Sequence, residues 1–205
     1  MSIEASRYIF YPYNPPAENY RTFSYFTPDE YPDIALTADE CDALIAYAKA
    51  IDPHPGFVGA YLNVDEKIRS VVSHETGYNA DTAVIHDKMA AAFNGANDHW
   101  WQFDIWGMGP IELLHYTPGG HYVMHLDHGP RHQVRKLSGI CQLSDPEDYE
   151  GGTLEIVVGE TDVHQMPKQR GTIVVFPSYM LHRVHPVTAG ERWASVIWAE
   201  GPKYR

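Results

Sequence analysis

The sequence predicts a mainly β protein, an antiparallel double-sheet jelly roll with two supporting N-terminal helices packed on the sheet. Three observations carry this. After His99 the chain is a succession of short apolar runs with no long helical pattern between them. The runs are separated by turn signals: Gly107-Met-Gly-Pro110, Pro118-Gly-Gly120, Asp145-Pro146, Gly151-Gly152 and Ala189-Gly190. Only two stretches, both upstream of His99, have helical periodicity. Many short strands at such spacing argue for a sandwich or barrel. With no repeat, low-complexity segment or linker, residues 1–205 read as one domain: an extended segment and helices over 1–98, and the jelly-roll core over 99–205.

Residues 1–36, rich in Tyr, Pro and Phe, suggest extended segments and turns with at most short strands. Thr37-Ala-Asp-Glu40 has the form of a capping box, and Cys41, Leu44, Ile45 and Ala48 share one face of a helix that Pro53 ends. Asp39 and Glu40 therefore read as helix-start residues, not catalytic acids. Phe57–Leu62 and Ile68–Val72 suggest two short strands. A second helix is expected over Asp81–Phe93, stopped at Asn94-Gly95, with Met89 and Phe93 facing core. The strands expected beyond it are Trp101–Trp106, Ile111–Tyr116, His121–Leu126, Lys136–Leu143, Thr153–Val158, Gly171–Phe176 and Trp193–Ala199.

Fifteen basic and twenty-seven acidic residues give a net charge of −12, which repels phosphate backbones, and no basic patch offsets it. Nucleic-acid binding is not expected. No apolar run is long enough to span a bilayer and the N-terminus lacks the pattern of a signal peptide, so the expectation is a cytoplasmic protein with no membrane association. Cys41 and Cys141 form neither a disulfide framework nor a CxxC pair and read as buried thiols.

Five of the twelve histidines fall within residues 115–132. Among them His125 is followed by Asp127, and residues i and i+2 of a strand point to one side. A third donor is available in His182, which lies 55 residues beyond Asp127, a separation that allows about four intervening strands. Two imidazoles and a carboxylate on one face of an ion leave neighbouring positions open, as in non-haem iron(II) oxygenases; a catalytic zinc uses the same ligand types. Two residues favour iron with an organic co-substrate. Arg192 could bind a carboxylate through paired hydrogen bonds, and Tyr116 could donate a hydroxyl to the same ligand.

Three stretches carry a family resemblance. They are Tyr116-x-Pro-Gly-Gly-x-Tyr122-x-x-His125-x-Asp127; then Arg135-Lys-Leu-Ser138 leading into Leu143-Ser-Asp-Pro-Glu-Asp-Tyr-Glu-Gly-Gly-Thr-Leu154; then Phe176-Pro-Ser178 continuing through Leu181-His-Arg-Val to Arg192. In these the chain resembles the iron(II)/2-oxoglutarate-dependent dioxygenases, specifically the prolyl 4-hydroxylase-like group with its PKHD-type bacterial members. The resemblance runs from about Trp101 to the C-terminus, with fainter similarity at Leu36–Cys41 and Ile68–Ser70. It implies a cupin-like double-stranded β-helix in which His125, Asp127 and His182 hold Fe(II), and Arg192 binds the distal carboxylate of 2-oxoglutarate. Tyr116 matches a tyrosine that contacts this co-substrate, and Trp198 an aromatic near it. Gln142 departs from the pattern, standing where some prolyl hydroxylases have a tyrosine on the same carboxylate.

The implied chemistry is hydroxylation of an unactivated C–H bond using O2, with succinate and CO2 as co-products and ascorbate as a candidate reductant. Asp127 matters to that outcome, since related halogenases carry a small residue in its place. The substrate suggested by analogy is a peptidyl or free amino acid, with a small metabolite as the alternative; a non-catalytic jelly-roll binding module is the reading from another class. His121, His128, His132 and His185 are not expected to be ligands, though they could line the mouth. His128, Arg131 and Arg135 are close enough in sequence to touch substrate but read more simply as surface. Gly119, Gly120, Gly151 and Gly152 read as turn residues.

Overall fold

The computed structural model describes residues 21–58, 63–130, 132–159 and 162–204. Its first strands are β1 (Ser24–Phe26), β2 (His54–Pro55), β3 (Arg69–Ser70) and β4 (Val72–Thr76). Next come β5 (Gly107–Met108), β6 (Ile111–Tyr116), β7 (His121–His125) and β8 (Arg135–Gln142). They are followed by β9 (Tyr149–Gly151), β10 (Leu154–Val158), β11 (Asp162–Gln165) and β12 (Ile173–Pro177). The last are β13 (Leu181–Val184), β14 (Val187–Gly190) and β15 (Arg192–Glu200). The helices are α1 (Ala38–Ala50) and α2 (Ala83–Ala96), the latter running into a π-helical turn at Asn97–Trp101.

The strands form two main antiparallel sheets. The larger has the order β1-β12-β8-β15-β6-β4-β2, with β5 pairing to β15; the smaller has the order β11-β10-β13-β7-β3. This is a jelly roll. Alternation along the central strands creates two cores. Leu137, Cys141, Leu113 and Ile197 face α1 and α2, whereas Ile140, Leu114, Val196 and Trp198 pack with Leu154, Ile156 and Val184 of the smaller sheet. The close approach of α2 requires Gly139 on β8, where a Cβ would sit 2.7 Å from Phe93 Cζ and 3.0 Å from the Met89 sulfur.

Helix α1 begins as its capping box dictates: Glu40 N–H donates to the Thr37 hydroxyl, and Thr37 N–H to the Glu40 carboxylate. The two helices do not form an N-terminal pair, because β2 to β4 lie between them. Nor does Asn94-Gly95 stop α2. Gly95 keeps helical φ, and the turn ends only at Gln102, whose φ of 52° is left-handed. That termination replaces the strand expected over Trp101–Trp106. The Asn97 side chain accepts from Phe103 N–H and donates to Phe103 C=O, tying the chain into a loop. Of Phe57–Leu62, residues 59–62 lie outside those described; Val58 forms an isolated bridge with Asn63. Residues 1–20, part of the segment expected to be extended, also lie outside them. Ile68–Val72 contributes β3 and the start of β4. Both cysteines are free and buried. Among the described residues no helix is long and apolar enough to cross a membrane.

Candidate metal centre and carboxylate pocket

Strand pairing brings the separate parts of the motif together. His182 on β13 is directly opposite His125 on β7. Asp127, expected on the same strand as His125, lies two residues beyond the end of β7 in the bend that follows. What holds it there is Ser178: its carbonyl accepts N–H groups from both Asp127 (3.0 Å) and His128 (2.9 Å), while its own N–H donates to Lys136 C=O. The Phe176-Pro-Ser178 stretch thus shapes the turn that carries the acid.

One donor atom from each of His125, Asp127 and His182 lies within 4.8 Å of the others. Asp127 Oδ1 is 3.6 Å from His125 Nε2, and Oδ2 is 3.5 Å from His182 Nε2. Each imidazole Nδ1 pairs with the carbonyl two residues back, Val123 at 2.8 Å and Met180 at 3.0 Å. These bonds make Nδ1 the protonated nitrogen and leave both Nε2 lone pairs for the shared point. Burial pushes the His182 pKa down to about 4, so its ring is neutral at physiological pH. Burial alone would raise the Asp127 pKa, but His182, His125 and the Ser138 hydroxyl outweigh it and hold the carboxyl well below the usual range. Two imidazole nitrogens and an ionised carboxylate suit a first-row divalent ion, whose donors at roughly 2.1 Å would stand only slightly closer together than here.

A cavity of about 720 Å³ opens beside this cluster. Its wall includes all three residues together with Tyr116, Tyr122, Arg135, Glu112 and Trp198. Arg192 is not part of that wall. It lies 1% exposed at the start of β15, paired in register with Tyr116 and with its guanidinium 5.1 Å from that ring. Its Nη2 donates to Gln142 Oε1 at 2.8 Å, whereas Nε and Nη1 are buried with no hydrogen-bond partner among the described residues. Two unsatisfied donors on a buried cation fit a carboxylate that the protein does not itself supply. Trp198 faces the same side of β15, but six residues on, roughly 20 Å along the strand; it pairs with Ser138, and Arg135 lies 3.5 Å over its ring. That places Trp198 at the Asp127 end of the cavity, away from Arg192.

Of the remaining histidines, His128 and His132 line the cavity; His121 is bonded to the carbonyls of Gly119 and Lys67, and His185 is paired with Glu155. Sequence reasoning assigned no role to Ser138, Ser178, Tyr122 or Glu112, and counted Gln142 only as a departure. The alternation of β8 carries a signal for two of them, since Ser138 and Gln142 share a face opposite the helix-facing Leu137 and Cys141.

Residues 111–200 match the sequence profile of the 2OG-Fe(II) oxygenase superfamily. A PKHD-type hydroxylase of Pseudomonas aeruginosa is 42% identical over 93 residues, covering 42% of this chain and 40% of that protein. A PKHD-type hydroxylase of Sphingopyxis alaskensis is 39% identical over 98 residues, 45% of this chain and 44% of its own length. The chain thus spans less than half the length of these relatives. In overall fold it resembles a prolyl-4-hydroxylase of Pseudomonas putida, with TM-score 0.70, 21% identity and coverage of 88% of this chain and 93% of that one. A Trichoplax adhaerens prolyl hydroxylase, solved with a hypoxia inducible factor peptide fragment, gives TM-score 0.73 at 17% identity, covering 87% and 83% of the two chains. His125, Asp127, His182 and Arg192 all lie within the segment that matches the profile of the 2OG-Fe(II) oxygenase superfamily.

Proposed function

We propose that this chain is an Fe(II)- and 2-oxoglutarate-dependent dioxygenase that hydroxylates an unactivated C–H bond of a peptidyl or free amino acid. The observation that carries the reading is the pairing of a His125–Asp127–His182 donor cluster with a buried Arg192 that has two unsatisfied N–H groups. Iron(II) and 2-oxoglutarate, when bound, would let O2 be split between the two substrates, one oxygen atom going into succinate as CO2 is lost and the other into the hydroxylated C–H bond. The residues of this chain do the rest.

His125, Asp127 and His182 would hold the metal from one side, leaving the cavity side for small ligands. Arg192 would take the far carboxylate of the co-substrate on Nε and Nη1 while Gln142 keeps Nη2 aligned, so Gln142 serves where a tyrosine serves in some prolyl hydroxylases. Tyr116 lines the cavity and pairs in register with Arg192, so its ring stands beside the place where that carboxylate would bind. Substrate would occupy the part of the cavity bounded by Arg135, Trp198, Tyr122 and Glu112. A peptide or amino-acid substrate is supported by the likeness to PKHD-type hydroxylases and by the peptide seen with the Trichoplax protein.

Anaerobic titration with iron(II) and then 2-oxoglutarate tests the chemistry: a visible charge-transfer band is expected, and its absence would overturn the reading. Peptides, free amino acids and small metabolites can then be screened for stimulated succinate formation with a mass gain of one oxygen. Stimulation by a non-amino-acid metabolite alone would overturn the substrate class.

A further inference from the structure

Each of the three clustered side chains rests on a different neighbour. Asp127 is held by Ser138, and His182 packs edge-on against Phe176 with ring centres 4.7 Å apart. His125, more exposed than the other two, rests on Tyr122: the rings stack with centroids 3.5 Å apart and an interplanar angle of 17°.

Strand alternation cannot produce that stack, because residues three apart on a regular strand point to opposite faces. The register between β7 and β13 shows how it arises. His182 is opposite His125 and Val184 is opposite Tyr122, so three steps on β7 match two on β13. The extra residue is a β-bulge at Val123-Met124, which turns Tyr122 onto the face of His125 and leaves both bulge side chains exposed.

Tyr122 is itself held. The Arg69 guanidinium lies 5.0 Å from the Tyr122 ring centre, and Arg69 donates Nη2 to Glu112 Oε2 at 2.7 Å and Nη1 to Phe57 C=O at 3.1 Å. The Ser73 hydroxyl donates to the same Glu112 oxygen at 3.3 Å. Arg69 belongs to β3 of the smaller sheet and Glu112 to β6 of the larger, so this pair joins the two sheets beside the cavity.

We propose that Tyr122 is a positioning residue for metal binding: its ring fixes the plane of the His125 imidazole, and the intersheet Arg69–Glu112 pair fixes the ring. The inference rests on the reading of His125 as a ligand. Since Tyr122 also lines the cavity, substrate contact is the competing role, and it predicts no effect on metal affinity.

The test is the iron(II) affinity of wild type, Tyr122→Phe and Tyr122→Leu, measured without co-substrate or substrate by anaerobic competition with a chromophoric chelator. Tyr122→Phe, which keeps the ring, is expected within about twofold of wild type. Tyr122→Leu is expected to bind about tenfold or more weakly, as when other supports of a ligand are removed, and to change the visible spectrum of the cobalt(II) form. Leu binding as tightly as wild type would overturn the inference, as would a Phe variant that falls as far as Leu. Wild type that takes up no iron(II) would instead overturn the metal reading beneath it. A readout that needs no stable Leu variant is NMR of the metal-free wild type. The His125 ring protons, assigned by their loss in His125→Gln, should resonate upfield under the Tyr122 ring current; unshifted resonances would also overturn the inference.

Discussion

The Ser138 hydroxyl donates a 2.7 Å hydrogen bond to Asp127 Oδ2, joining the larger sheet to the bend that carries the candidate metal-binding acid. Ser138 Oγ is also 3.0 Å from Ser178 Oγ, and Ser178 C=O receives the Asp127 N–H. The carboxylate is thereby aimed from two strands, β8 and the end of β12. Ser138→Ala should leave the fold intact but weaken iron(II) binding about tenfold, the usual scale for removing a hydrogen bond that orients a ligand. Chelator competition measures it, and unchanged affinity would show that Ser178 suffices.

Arg192→Ala should raise the 2-oxoglutarate concentration needed for half-maximal binding by about tenfold or more, since hydrogen bonds to a charged group contribute about 1.5–3 kcal/mol each. Iron(II) affinity should stay close to wild type. Titrating the charge-transfer band separates the two quantities, and loss of iron would mean that Arg192 supports the metal cluster instead.

Gly152 controls the same guanidinium from behind. Its φ is +59°, and a Cβ there would lie 2.8 Å from Arg192 Cδ and 3.1 Å from Val187 Cγ2. Gly152→Ala combines a left-handed backbone penalty of about 1–2 kcal/mol with displacement of Arg192. The expected result is a lower melting temperature and severalfold weaker 2-oxoglutarate binding at unchanged iron affinity, read by thermal melts and the same titration.

Burial drives the Cys41 pKa up to about 11 and that of Cys141 well above its ordinary value. At pH 8 roughly one Cys41 in a thousand is then thiolate, the reactive form. Both thiols should resist a disulfide-exchange reagent until the protein unfolds; labelling within minutes under native conditions would contradict this. The sign of the stability effect follows. Between about pH 9 and 11 the unfolded chain has released these protons and the folded chain has not, so stability falls as pH rises through that window. Denaturant melts across pH 8–11 would measure it.

Local chemistry made much of this protein legible. The Thr37-to-Glu40 capping box, the Gly-rich turns and the apolar runs of β6, β8, β12 and β15 are short-range patterns, and each element formed close to where its pattern stands. The spacing of His125 and Asp127, with His182 and Arg192 downstream, was enough to name a candidate metal cluster and its anion partner. Other features depend on contacts between distant strands. The tight pairing of Asn97 with Phe103 replaced an expected strand by a loop, and the Ser178 carbonyl put Asp127 in a bend instead of on β7. The bulge that turns Tyr122 onto His125 exists only because β13 runs beside β7, and neither strand alone encodes it. Likewise, Trp198 follows Arg192 by six residues, but an extended strand carries it to the far end of the cavity beside Ser138. By itself the sequence determined which residue types could bind a metal and a carboxylate, because those follow from side-chain chemistry and short spacing. The tertiary structure alone decided which neighbours aim and hold them, because register and sheet packing arise between segments far apart in the chain.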